Sequence, residues 1–185
     1  SLKVDDNKLS ELDLSGFEDL MEVSASNNAI SYVDVAEGNV ITELNVSDNQ
    51  IPALPTQKLS KLVTLNCANN YIEELYGNHL KEIRYLDCSN NMLIELILDQ
   101  TYVKEVDCSN NKLSVLKLPN STDMLEKLIL SAKEKIANIE KAPAEMQARV
   151  AKAYISDEIN DEDVQFIFNT DTIEQLNDPE VESNV

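Results

Sequence analysis

Glycine is scarce, with three residues in a chain of 185, which leaves no glycine-rich loop to cradle a phosphate group. A single histidine, His79, provides neither a paired metal ligand nor the usual set of acid–base partners. Cysteine is nearly as rare: Cys67, Cys88 and Cys108 are an odd number, so at least one thiol stays unpaired, and none of them form the close pairs typical of zinc sites. Positive charge is short as well, 15 Lys plus Arg against 34 Asp plus Glu, a formal charge of −19. Such a balance repels nucleic-acid phosphates and anionic lipid headgroups. There is no apolar run of 18 residues, and the opening stretch SLKVDDNKL has no signal-peptide core, as would also hold for a mature secreted chain. These shortages point away from nucleic acid, membrane insertion, metal, cofactor and catalysis. Paired carboxylates abound, but in so acidic a chain they carry little information.

What is abundant is repetition. The lines LNCANNYIEEL, LDCSNNMLIEL and VDCSNNKLSVLKL follow one another between Leu65 and Leu118. Slid along the chain, the frame L-x-x-L-x-C-x-x-N-x-L-x-x-L places asparagines at Asn7, Asn28, Asn49, Asn70, Asn91 and Asn111, with gaps of 21, 21, 21, 21 and 20. A fixed period near twenty with apolar residues at constant offsets marks a leucine-rich repeat array. Coils start at Leu20, Ile41, Leu62, Ile83, Val103 and Leu125, and their first, fourth, sixth and eleventh slots are apolar or small. The alternation around the fourth slot predicts a short strand buried on one face, and stacking joins these strands into a parallel sheet lining the concave side. A second apolar set, Val33 and Val35, Leu54, Leu75, Leu96 and Leu98, Leu116 and Leu118, closes the convex side. No coil buries its face alone, so replacing Leu86 by Ala is expected to damage several coils together.

The repeated asparagine is read as structural: its amide both donates and accepts, and in a tight turn leaving the strand it pairs backbone groups that the turn leaves open. The cysteines stack in the sixth slot, where Ala25, Val46 and Leu130 stand in other coils. A slot that accepts Ala, Val, Leu or Cys is a packing slot, and three buried, reduced thiols are expected. His79, in the irregular stretch YGNHLKE, reads as a loop residue.

These residues resemble the 21-residue bacterial leucine-rich repeats of the internalin type, and Cys67, Cys88 and Cys108 look like the cysteine ladder found within that family. The resemblance covers roughly residues 1 to 130. It implies an α/β repeat solenoid of about six to seven coils with a parallel concave sheet, and a surface or secreted bacterial protein that binds a protein partner. Unpaired thiols equally suit a reducing cytoplasm. Internalins carry a helical cap before the first coil, whereas here the chain enters mid-coil at Leu2 and Val4. Of the two sequons, Asn45-Val46-Ser47 and Asn120-Ser121-Thr122, a glycan on the first would sit on the concave strand, which disfavours a eukaryotic secretory route.

Three regions are expected: a solenoid over 1–130, a helical cap over 131–155, and an acidic segment over 156–185. The cap reading rests on Ile136 and Ile139, then Pro143 opening a second helix with Met146, Val150 and Tyr154 at four-residue steps. The acidic segment holds ten Asp or Glu and no Lys or Arg. In it Val164, Ile167 and Phe168, then Ile173 and Leu176, suit short amphipathic helices, and 178–185 suits a disordered end. Its cluster Asp157, Glu158, Asp161, Glu162 and Asp163 lacks the spacing that folds carboxylates onto calcium. Phe166 and Phe168 read either as further cap packing or as a docking motif.

The leading function is a non-enzymatic protein–protein interaction module using the concave face. Its candidate contact residues are Glu43, Asn45, Thr64, Asn66, Arg84, Tyr85, Asp87, Glu105 and Asp107, with Arg84 and Tyr85 as anchors. The protein is expected to be a monomer unless it stacks through its amino-terminal edge. That possibility, or tethering by the acidic tail, defines the alternative: a structural subunit of a larger assembly. A mimic of nucleic acid, suggested by the charge alone, is a third reading.

Overall fold

The computed structural model describes residues 1–119 together with 127–131, 138–140 and 163–167. Strands are numbered in chain order. One long sheet takes a strand from each coil: β1 (Leu2–Lys3), β3 (Glu22–Ser24), β5 (Glu43–Asn45), β6 (Thr64–Asn66), β7 (Tyr85–Asp87), β9 (Glu105–Asp107) and β11 (Lys127–Ser131), all parallel. At its end β13 (Asp163–Ile167) adds an antiparallel eighth strand against β11. The opposite wall is made of β2 (Glu11–Leu14) with β4 (Tyr32–Val35), and of β8 (Glu95–Ile97), β10 (Val115–Lys117) and β12 (Asn138–Glu140). The protein is thus a parallel β-solenoid of about six turns.

The core lies between the two walls. The middle residues Val23, Leu44, Leu65, Leu86 and Val106 of the long sheet and Leu12, Val33, Leu96 and Leu116 of the far wall belong to one buried cluster. The first, fourth, sixth and eleventh slots of the coils begun by Ile41, Leu62, Ile83 and Val103 are all buried, Ile41, Leu44, Val46 and Ile51 among them. Each fully buried aliphatic side chain contributes roughly 1.5–3 kcal/mol.

The expected α/β composition is corrected: among the described residues the far wall carries no α-helix. A coil of 20 or 21 residues must cross the molecule twice, and a strand advances about 3.3 Å per residue against about 1.5 Å in a helix. Extended backbone is what so short a coil can use. Two coils interrupt the wall with 3-10 turns, Thr56–Lys58 and Gly77–His79, leaving a single bridge between Ala53 and Glu74. There the small Thr56 and Gly77 stand where other coils carry Leu14, Val35, Leu98 or Leu118. Leu59 and Leu80, which close the turns, are both fully buried.

Two further expectations change. The spacing of Ile139 from Ile136 suits a cap helix, but Ile139 lies in β12 and pairs with Leu116, which itself pairs with Leu96. The repeat therefore continues past Leu130 at a stretched interval, Leu116 to Ile139, that a fixed period misses. The stretch from Val164 to Ile167 is strand rather than amphipathic helix, with Phe166 opposite Leu128 and Val164 opposite Leu130. The alternation Val-Gln-Phe and its β-branched and aromatic residues favour that choice. Pro143, Met146, Val150, Tyr154, Phe168, Ile173, Leu176 and 178–185 lie outside the described residues.

Candidate functional site

The outer face of the long sheet presents two rows of side chains. Register aligns Glu22, Glu43, Thr64, Tyr85 and Glu105 in one row, and Ser24, Asn45, Asn66, Asp87 and Asp107 in the other. Two shallow grooves run over them. One, of about 360 Å³, is lined by residues including Lys3, Glu22, Glu43, Asn45, Thr64 and Asn66. The other, of about 310 Å³, is lined by Thr64, Asn66, Tyr85, Asp87, Glu105 and Asp107 among others. The structure thus brings together eight of the nine candidate contact residues. Among the described residues that line the second groove, Tyr85, 42% exposed, is the one large exposed hydrophobic side chain.

Arg84 is placed elsewhere. It precedes the strand, its guanidinium lies 5.2 Å from the ring centroid of Tyr102, and Nη1 donates to the Glu82 and Ile83 carbonyls. The arginine is held at the rim by a cation–π contact. Tyr102 was not singled out from the sequence. It stands just before Val103, the first slot of the next coil, and its contact with Arg84, at no repeat interval, is what distinguishes it.

The second row does structural work as well. Asn45 and Asn66 each accept, through Oδ1, the backbone N–H two residues on, at 3.1 Å. Asp87 and Asp107 accept the N–H of Ser89 and Ser109 at 3.0 Å, and the serine hydroxyls at 2.7 Å. The small residue after the cysteine slot is therefore buried and tied to the strand end. Asp5 makes a coil-to-coil version: its Oδ1 accepts from the Ser24 and Ser26 hydroxyls and the Ser26 N–H. These bonds, the Ser24 hydroxyl first, hold its carboxyl below the usual carboxylate range.

Behind this face runs the asparagine column. Asn49 Nδ2 donates to the Ala25, Val46 and Ser47 carbonyls at 2.9, 3.1 and 3.0 Å, and its Oδ1 accepts the Ile30 N–H at 2.9 Å. Asn28, Asn70, Asn91 and Asn111 repeat the pattern, whereas exposed Asn7 bonds only within its own turn, to the Val4 and Asp5 carbonyls. The residue before each is in the left-handed region: Asp6, Asn27, Asp48, Asn69, Asn90 and Asn110 have φ of 57, 52, 56, 55, 54 and 55°. Asn and Asp tolerate that conformation best after glycine. The N-N and D-N pairs were thus a turn signal that the single-asparagine frame overlooked.

Cys67 and Cys88 carry free thiols, and they stack with Cys108 in one fully buried column. Desolvation pushes the Cys67 and Cys88 thiols well above their ordinary value. On the far wall Lys58 Nζ donates to Asp34 Oδ1 at 2.8 Å and to the Val35 carbonyl at 3.3 Å. The first of these bonds is what chiefly raises the lysine and lowers the aspartate pKa. His79 lies in the Gly77–His79 turn with Nδ1 3.1 Å from Thr56 Oγ1 and its ring 5.8 Å from that of Tyr76. Among the described residues no group of three or more His, Cys, Asp or Glu is placed to hold a metal ion, and no helix is long and apolar enough to cross a membrane.

No protein-family profile matches the chain, and no curated protein matches it. Among solved structures, it is similar to the functional domain of InlJ, internalin J, from Listeria monocytogenes, which includes a cysteine ladder. That match has a TM-score of 0.38 and 24% sequence identity, and it covers 63% of this chain and 38% of that one. The chain thus spans well under half of the length of the solved InlJ chain.

Proposed function

We propose that the chain is a non-enzymatic protein-interaction module whose binding surface is the outer face of the long sheet. The observation that carries this reading is the contrast between the two faces of the same strands. Inward, Val23, Leu44, Leu65, Leu86 and Val106 are alike in chemistry and buried. Outward, the row Glu22, Glu43, Thr64, Tyr85 and Glu105 changes in size and charge from coil to coil, although packing of the fold asks nothing of it. Backbone pairing holds these side chains at a fixed spacing of about 4.8 Å, a rigid, pre-ordered surface that costs little entropy on binding. Tyr85 is of a type enriched at binding hot spots.

Affinity capture from the native source tests the reading. Truncating Tyr85 to Ala should weaken the captured partner by about 2 kcal/mol or more. Glu95→Ala, on the far wall, should leave it unchanged. Undiminished capture by a variant carrying Tyr85→Ala, Glu43→Ala and Glu105→Ala together would remove the sheet face from consideration.

A further inference from the structure

Positive charge is scarce in this chain, yet four of its 15 Lys and Arg gather at the rim where strands enter the long sheet. Around the first slots of the coils begun by Leu62, Ile83 and Val103 stand Lys61, Lys81, Arg84 and Lys104, with Glu82 the one acid among residues 60–63, 81–84 and 101–104. Backbone bonds stack these segments: the Lys104 N–H donates to the Arg84 carbonyl and the Arg84 N–H to the Val63 carbonyl, both at 2.8 Å. Lys61 and Lys81 are exposed, and among the described residues no acid forms an ion pair with either of them or with Arg84. Arg84 commits only Nη1, to the Glu82 and Ile83 carbonyls, out of a guanidinium that carries five donors. Lys104 is already engaged, which leaves Lys61, Lys81 and Arg84 as the open part of the patch.

The last strand of the sheet delivers an acidic segment to this rim. β13 runs antiparallel to β11, so Asp163 lies opposite Ser131 and Ile167 opposite Lys127. Lys127 pairs with Glu105, Glu105 with Tyr85 and Tyr85 with Thr64, the residues that follow Lys104, Arg84 and Val63. The chain therefore leaves β13 at the strand-entrance end. Residues 168–185 come next, with Asp171, Glu174, Asp178, Glu180 and Glu182 and no Lys, Arg or His. Four strand spacings separate β13 from β6, about 19 Å, and seven extended residues reach about 23 Å, so Asp171 and Glu174 already span the patch. Asp123 and Glu126 precede β11 in the sequence, so the favourable run begins at Lys104 and not at Lys127.

We propose that residues 168–185 dock in cis along this rim, their carboxylates pairing with Lys61, Lys81 and Arg84. Each exposed pair contributes little, but tethering through β13 makes the association intramolecular, and several pairs then act together. Docking here needs no partner and leaves the assignment of the sheet face untouched.

The test uses the full chain with Gln175→Cys carrying a nitroxide spin label; Cys67, Cys88 and Cys108 are buried and stay unlabelled. The label should broaden the backbone amides of Lys61, Lys81, Arg84 and their neighbours. Lys61→Gln with Lys81→Gln changes two exposed side chains, so the urea midpoint should hold while the broadening is largely lost. Asp171→Asn with Glu174→Gln should abolish it equally, as should about 0.5 M salt, which screens exposed charges beyond a few ångströms. Lys8→Gln with Lys112→Gln, removing equal charge from exposed positions elsewhere, should leave it in place. Broadening centred on the far wall or on no surface overturns the proposal. So does an equal response to the two pairs of lysine substitutions, which would make net charge and not the rim responsible.

Discussion

Asn70 Oδ1 accepts the backbone N–H of Ile51, nineteen residues earlier, at 2.9 Å, and this one bond ties two successive coils where the chain turns out of the long sheet. The same amide donates to the carbonyls of Val46, Cys67 and Ala68 at 2.9, 3.1 and 3.1 Å. Its side chain is the partner of four backbone groups in a buried turn. Replacement by Ala leaves them facing a dry interior, at about 1–3 kcal/mol for each group that finds no substitute. Asn70→Ala is expected to lower stability by about 3 kcal/mol or more, measured from the urea midpoint, and Asn7→Ala by far less, since Asn7 is exposed. Equal losses at the two positions would show that burial of the column is not what makes it matter.

The turn before the column gives a second test. Asn90 has φ of 54° and is exposed, so its backbone conformation is its main constraint. Asn90→Val should cost about 1–2 kcal/mol through steric conflict at Cβ. Asn90→Gly should be close to neutral. If both substitutions cost the same, the side chain and not the backbone is responsible.

The inner architecture was legible because burial enforces period. Val46, Cys67 and Cys88 share a slot whose only demand is a small apolar volume, and the constant interval between them revealed the coil length. The far wall was less legible because two solutions fill the same space. Leu98 is buried just past the strand Glu95–Ile97, while Leu80 is buried five residues beyond Leu75 after a 3-10 turn, so buried leucines of the far side stand at different offsets. Ile139 was missed for the same reason. It occupies the column of Leu96 and Leu116, but an interval longer than the period hid it.

Gly77 marks where one solution meets the other. A Cβ built on it would lie 2.3 Å from the Ile97 carbonyl oxygen and 2.8 Å from Leu98 Cδ2, distances that require backbone of the next coil to move. Gly77→Ala should destabilise the solenoid by about 1–3 kcal/mol, the usual cost of overpacking. Gly16, with nothing within 4 Å of the added carbon, is the control. Gly16→Ala should be neutral or slightly stabilising, by up to about 1 kcal/mol, because it restricts the unfolded chain. Thermal unfolding of the two variants separates them.

The candidate site was legible in placement but not in division of labour. The frame located Asn45, Asn66, Asp87 and Asp107 on the outer face, yet the bonds from their Oδ1 atoms to the following turn follow from backbone geometry, which periodicity does not report. Arg84 went astray because a large side chain at a strand entrance reaches sideways. Its partner, Tyr102, lies eighteen residues on, just before the next coil begins at Val103, at no repeat interval.

The thiols test the register on which these assignments rest. Cys67 and Cys88 are fully buried, and desolvation raises their thiol pKa well above the ordinary 9.0. Native protein should therefore resist an alkylating reagent until it unfolds, because the reactive thiolate is both scarce and inaccessible. The linkage follows in sign. The unfolded thiols lose their protons near pH 9 while the folded ones keep theirs, so above that pH the folded state binds more protons. The stability this confers is complete below the unfolded pKa and declines as pH rises from about 9 toward the folded value. The decline is about 1.4 kcal/mol per pH unit for each thiol once the unfolded form is ionised. Denaturation series between pH 8 and 10.5 should show a steeper fall for the native sequence than for Cys67→Ala with Cys88→Ala. That variant loses about 1 kcal/mol or more per site at neutral pH through packing alone. Parallel curves for the two proteins, or labelling of the native thiols at the rate of a free one, would place the cysteines outside the core and move the whole frame with them.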